Sequence, residues 1–300
     1  MSSRIPTSQI YKGAHQYVAT AKEREAKTAE KAATQKEIIR PSDNPTAYMK
    51  ASAVKDDLGS REVIGDNAKY AQNVLSSTET LFEQVNEGLI RAYELTLSIS
   101  GDTGGGEQGR KAVLSEVEGI YQSMLQTLNY KFGPRTLLAG YKSQGPAFNR
   151  DGNFVGGKGE IEIEVDKGSR VAITVNAERA VLGKGMPNGV NIIESMKSLM
   201  EGLRENDTDK IRPQIDSLQK GVEQMSMVRA EIGGRMKAVE SAMGRNAHHE
   251  VDMKTVLSEM EEVDAVKVFS DLARDQTILQ AALATSKKII DGQNAGILLQ

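Results

Sequence analysis

No cysteine and no tryptophan occur in the 300 residues, and aromatic residues make up only 4% of them. Without cysteine there is no disulfide framework, no thiolate metal site and no thiol nucleophile. No aromatic residue lies between Val155 and Val268. A compact core of this size is usually filled by rings, so a chain of Leu, Ile, Val, Met and Ala points to narrow helix-to-helix seams. Long apolar runs are missing too. The longest is Ala281 to Ala284, four residues against the roughly 20 that cross a bilayer, and no membrane insertion is expected. Lys plus Arg number 38 and Asp plus Glu 41, a net charge of -3, which leaves no bulk electrostatic footprint for nucleic acid. Lys12, Lys22, Glu23, Arg24 and Glu25 occupy the stretch where a signal peptide places its apolar region, so a cleaved signal is not expected.

What is present is helical periodicity. Arg40-Pro41-Ser42-Asp43-Asn44-Pro45 is a helix start, with Asn44 as N-cap and Pro45 in the first helical position. Pro41 biases Arg40 away from helical dihedrals, which separates the preceding element and puts a boundary near residue 43. Ala71, Leu75, Thr78, Phe82, Val85, Leu89 and Ala92 then repeat at heptad spacing. A second periodic stretch, Val113, Val117, Ile120, Met124 and Leu128, ends at Gly133-Pro134. The period next changes to 2. Ile161, Ile163 and Val165 alternate with glutamates, and Val171, Ile173 and Val175 follow an Asp166-Lys167-Gly168-Ser169 turn, which is a β-hairpin. Helical spacing resumes at Ile192, Ile193, Met196, Leu199 and Leu203. It continues from Ile211 through Ile215, Leu218, Val222, Met225, Val228 or Arg229, Ile232, Met236 and Val239 to Met243. A final seam runs through Ala265, Phe269, Leu272, Gln276, Leu279, Leu283, Ser286 and Ile290.

Each half alone presents an unburied stripe, so the N-terminal helices are expected to pair antiparallel with the C-terminal ones. The expected fold is mainly α: an elongated rod of long antiparallel helices, a coiled-coil-like bundle, with a small inserted β-rich domain. The expected organisation is a terminal coiled-coil region of residues 1–43 and 260–300, a helical core of 44–140 and 187–259, and a β-rich domain of 141–186. Small-angle scattering from the monomer is expected to show an elongated particle, and a compact sphere would reject the rod.

Candidate chemistry is thin. Gly104-Gly105-Gly106-Glu107-Gln108-Gly109 matches G-x-G-x-x-G, but it follows a helix instead of the strand that would deliver backbone N–H groups to a pyrophosphate, and reads as a helix-to-helix turn. His248, His249, Glu250 and Asp252 are ligand types, yet adjacent helix positions point about 100° apart and read as a solvated face. Glu160, Glu162 and Glu164 read as the solvent side of an amphipathic strand. No catalytic, cofactor-binding or metal-binding residue is nominated, and no cofactor is expected. The chain is not expected to be an enzyme.

The ends offer a sharper reading. Residues 1–40 hold few large apolar anchors, too few to keep a lone helix firm in water. Leu272, Leu279, Leu283 and Ile290 are assigned to one stripe of the last helix, opposed by Ile5, Ile10 and Tyr17. These residues are the candidate assembly and chaperone interface, expected to order fully against a partner.

The segment Ile38-Ile39 with Pro41, Ser42, Asp43, Asn44 and Pro45, then Thr46-Ala47, resembles the N-terminal region of the bacterial flagellin family. Leu257 to Asp264 and Gln280-Ala281-Ala282-Leu283 resemble that family's C-terminal region. Gly133-Pro134-Arg135-Thr136 with Leu137, Leu138, Ala139 and Gly140, then Gly145-Pro146-Ala147-Phe148, resembles an element of one member, as does Arg229 to Arg235. The resemblance implies an extracellular structural subunit, exported from the cytoplasm by a type III apparatus without a cleaved signal, that joins the flagellar hook to the filament. It implies as partners copies of itself in a ring, a hook-associated neighbour on the hook side, flagellin or another hook-associated subunit on the filament side, and a cytosolic export chaperone. A filament subunit and a non-flagellar coiled-coil scaffold are the alternatives.

Overall fold

The structure, a computed structural model, describes residues 7–100 and 106–297, with side chains for Gln9, 11–100 and 106–289. In chain order the elements are α1 (Thr7–Thr34), α2 (Pro45–Ile99), α3 (Gly106–Leu128), β1 (Lys131–Phe132), β2 (Arg135–Thr136), β3 (Glu162–Asp166), β4 (Ser169–Ala172), α4 (Ala177–Ala180), α5 (Ile192–Glu205), α6 (Thr208–Glu261) and α7 (Ala265–Ile297). The mainly-α class read from the periodicity is the class observed, with two separate antiparallel strand pairs, β1 with β2 and β3 with β4. The chain divides into two compact units: Met1–Gly59 with Glu250–Gln300, and Ser60–His249.

Before α2 the chain turns through a tight polar loop. The Asp43 carboxylate accepts the N–H groups of Arg40 at 3.0 Å and Ile39 at 3.2 Å and lies 3.0 Å from Lys27 Nζ. Asn44 Oδ1 accepts the Ala47 N–H at 3.1 Å, capping α2 where Pro45 opens it. The Arg40 N–H, the Lys27 ammonium and the Ile39 N–H hold Asp43 at about 2, below its ordinary 3.8. A depressed carboxyl stabilises the fold above its unfolded value and loses that contribution as pH falls through the folded one. Amide exchange at Ile39 and Arg40 is therefore expected to rise as pH drops from about 4 toward about 2 relative to a peptide reference. In Asp43→Asn it should already be fast at neutral pH, and an unchanged exchange rate in that variant would contradict the clamp.

In the Ser60–His249 unit the heptad row of α2 is the core: Ala71, Leu75, Phe82, Leu89 and Ala92 are fully buried. The α6 row meets the expectation at Ile211, Leu218, Met225, Ile232 and Val239. At the ambiguous step Val228 is buried, and Arg229 instead donates to Glu79 at 2.9 and 2.6 Å and to Glu83 at 3.2 Å on α2. The buried hydroxyls of Thr78 and Thr96 donate to the carbonyls of Val74 and Ala92 one turn earlier. That removes the penalty of an unpaired polar group in the seam.

The predicted hairpin is β3 and β4, with a register shift between Glu164 and Asp166. Val165, Ile173 and Val175 belong to the same apolar cluster as the helices. One expectation fails here. Glu160 is not on a solvent face: it is half-buried, accepts from Arg235 at 2.7 Å and from the Asn176 N–H at 3.1 Å. Arg235, on α6, also donates to the carbonyls of Ala172 at 3.2 Å and Thr174 at 2.9 Å, so one guanidinium pins the end of the hairpin. Alternation along a strand gives the side a glutamate faces but not a cation brought there from 75 residues away.

The family-like motif Leu137-Leu138-Ala139-Gly140 is a packing element. Its first three residues are buried, and Gly140 has φ +55 with its α-carbon against the loop that follows. A methyl group built on it would lie 2.2 Å from the Gly157 carbonyl oxygen. The Asn129 side chain closes the same region, accepting the N–H groups of Ala147 at 2.8 Å and Phe148 at 2.9 Å and donating to the Phe148 carbonyl at 3.0 Å.

Candidate assembly surface

Within the unit that holds both chain ends, α1 and α7 pack antiparallel: residues near Gly13 face Ile289, and Thr28 meets Asp275. The row that α1 turns inward is Tyr11, Ala14, Val18, Ala21, Glu25, Thr28 and Ala32, spaced alternately three and four apart. The matching row of α7 is Val268, Leu272, Asp275, Leu279, Ala282, Ser286 and Ile289. On the α1 side three of the seven residues are alanine. Each alanine methyl contributes about 0.8 kcal/mol on burial, while ordering each backbone residue costs about 1 to 2 kcal/mol. Such a pair is thinly held.

This placement corrects the stripes expected from the sequence. Leu272 and Leu279 lie in the seam, half-buried, but Leu283 is 51% exposed and Tyr17 77% exposed, so neither opposes the other helix. Phe269, expected in the same seam, is 54% exposed. The reason is the order of the heptad steps: α7 goes from Leu272 by three to Asp275 and by four to Leu279, where the expected stripe went by four to Gln276 and by three to Leu279, so Phe269 and Leu283 fall beside the contact. Ile5 lies outside the described residues, as do the side chains of Ile10 and Ile290.

The displaced apolar groups remain uncovered. Val266, Phe269, Ile278 and Leu283 are exposed on α7. Beside Ile278 a groove of about 730 Å³ runs between the two helices, lined by Tyr17, Ala21, Ala281 and Ile289 among others. The seam also holds a polar pair, the half-buried Thr28 hydroxyl donating to the buried Asp275 Oδ2 at 2.8 Å.

The other residues singled out for chemistry are not brought together. His248 is exposed and His249 half-buried on α6, and among the described residues no group of three or more His, Asp or Glu could hold a metal ion. Gly104 and Gly105 lie outside the described residues, and Gly106 opens α3. No described helix is long and apolar enough to cross a membrane. Sequence reasoning missed Gln224 altogether. It is buried on α6, accepts the Val190 N–H at 2.8 Å and donates to the Ala180 carbonyl at 2.8 Å, holding the segment between α4 and α5. A lone glutamine beside a heptad row carries no signal of such a role. Gln224→Leu keeps the bulk but strands the Val190 N–H and the Ala180 carbonyl. It is expected to lower stability by about 2 to 4 kcal/mol in chemical denaturation.

Long helices with a small β insert are also the fold of solved flagellar hook-associated proteins. A Vibrio parahaemolyticus protein described as a flagellar hook-associated protein superposes with TM-score 0.67 at 18% identity, over 73% of this chain and all of that one. The flagellar junction protein FlgL of Legionella pneumophila does so with TM-score 0.58 at 12% identity, over 71% of this chain and all of that one. In sequence the chain is similar to flagellar hook-associated protein 3. Flagellar hook-associated protein 3 of Escherichia coli K12 is a homologue, 22% identical across 93% of this chain and 94% of its own length. No family model matches the sequence.

Proposed function

We propose that the chain is a structural subunit of the bacterial flagellum that connects hook to filament by self-assembly of its terminal helices. The observation that carries this reading is the likeness to hook-associated protein 3 along nearly the whole of both chains. The open flanks of the α1·α7 seam support it. In this reading Phe269, Ile278 and Leu283 meet neighbouring copies in a ring, a hook-associated subunit lies on the hook side, and flagellin or another hook-associated subunit on the filament side. The subunit acts outside the cell, reached by type III export, and a cytosolic chaperone covers α7 beforehand. Its work is mechanical, with no catalytic step.

The test is a deletion strain viewed by electron microscopy. Hooks without filaments, with flagellin lost to the medium, are the expected result; normal filaments would refute the reading. A second expectation concerns export. Removing the residues before Ile38 should stop secretion and leave the Ser60–His249 unit folded, because Asn44 and Pro45 start α2 independently. Secretion of that truncation at the normal level would contradict it.

A further inference from the structure

In the unit formed by Met1–Gly59 and Glu250–Gln300, two helix ends lie side by side. α1 stops at Thr34 and α6 at Glu261. Just beyond them Lys36 and Glu262 form an isolated antiparallel bridge. The Glu37 N–H donates to the Glu261 carbonyl at 2.7 Å and the Val263 N–H to the Gln35 carbonyl at 3.1 Å. Gln35 has φ 55, a left-handed conformation that a side chain of this kind rarely adopts and that persists only when its surroundings impose it. The bridge supplies that constraint.

The Glu261 carboxylate sits at the centre of this junction, its side chain 5% exposed. One oxygen lies 3.2 Å from Lys36 Nζ, and the other accepts from Lys55 Nζ on α2. Burial pushes this carboxyl up, but the hydrogen bonds from Lys55 and Lys36 outweigh it and hold the group below the usual carboxylate range. The segment that follows Lys36 is tied back to α1 by ion pairs. Glu37 pairs with Lys31, Arg40 with Glu30 at 2.8 Å, and Asp43 with Lys27 at 3.0 Å. Lys36 is thereby tied to α1 and Lys55 to α2, and Glu261 holds both.

We propose that this bridge is a two-stranded joint and that Glu261 is its latch. With the latch closed, the α1·α7 pair is held at one angle to the start of α2 and the end of α6. With it open, the pair turns as a body without α1 and α7 parting. Both segments leave helical conformation at the same level, so torsions in residues 262–264 and around Asn44 change together while the seam from Ala14 to Ala32 stays intact. The strained turn at Gln35 marks the same place independently. The inference rests on the geometry of this unit and does not depend on the flagellar reading.

Because the chain has no cysteine, paired spin labels on the full chain test it cleanly. Lys22→Cys with Ser52→Cys reports α1 against α2, and Lys22→Cys with Thr277→Cys reports α1 against α7; all three positions are exposed. In the otherwise unchanged chain both pairs are expected to give narrow distance distributions. Adding Glu261→Gln, which keeps the shape and removes the charge, should at least double the width of the first and leave the second unchanged. Lys36→Met together with Lys55→Met should do the same. A first distribution that neither variant alters, or that is already broad before substitution, overturns the latch. Broadening of both pairs together overturns the joint, since the helices would then be separating instead of turning.

Discussion

Alanine at Gly140 is expected to lower the melting temperature of the protein by roughly 5 to 15 °C, read from the loss of helical circular dichroism. Two costs combine. A left-handed conformation costs a non-glycine residue about 1 to 2 kcal/mol, and forcing a methyl group into packed structure adds about 1 to 3 kcal/mol. The second applies because the new carbon would meet the Gly157 carbonyl oxygen at 2.2 Å and that of Gly159 at 3.0 Å, backbone atoms that cannot swing aside. Gly168 is the control. Its φ is +76, but nothing lies within 4 Å of the added carbon, so Gly168→Ala should carry only the first cost and shift melting by a few degrees, roughly 2 to 8 °C. Equal shifts at the two sites would mean that the close approach of the loop is not what fixes Gly140.

The second large effect is on assembly. Phe269→Asp with Leu283→Asp changes two exposed positions of α7 that make no part of the α1·α7 seam, so stability should change by no more than about 0.5 kcal/mol per site. Attachment of filaments to hooks in a complemented deletion strain should be lost. Each large apolar side chain withdrawn from an intersubunit contact removes about 1.5 to 3 kcal/mol, and a carboxylate left there adds a desolvation cost. The pair together weakens each contact by more than about a hundredfold. Leu279→Asp is different in kind, because Leu279 is half-buried against α1 and its replacement should reduce helicity as well. Normal attachment by the double variant would show that the exposed side of α7 is not the assembly surface.

The long helices were legible because heptad spacing sustained over many turns leaves no other conformation in which the apolar residues can share a face. The start of α2 was legible for a local reason, since Asn44 and Pro45 act through the backbone of their own neighbours. The hairpin followed from its change of period. What the sequence hid were contacts made across distance. Arg235 reaching Glu160 and Gln224 holding Val190 depend on where α6 meets segments far from it in sequence. The candidate surface was half legible for another reason. Spacing put Leu283 in the seam and apolar character put Tyr17 opposite it, whereas the observed rows run through the adjacent Ala282 and Val18 and leave both outside.

The Thr28 and Asp275 pair bears on how that seam finds its setting. Residues seven apart share a face, so apolar contact alone discriminates weakly between alignments that differ by a whole heptad. A slide of seven residues in one direction would put Asp275 opposite Ala21, which has no side-chain donor. Stranding a buried carboxylate costs at least about 1 to 3 kcal/mol, comparable with the methyl burial that two or three alanines supply. The hydrogen bond therefore serves as a ruler mark: it adds little to the strength of the pairing and singles out one alignment among several that packing alone would accept.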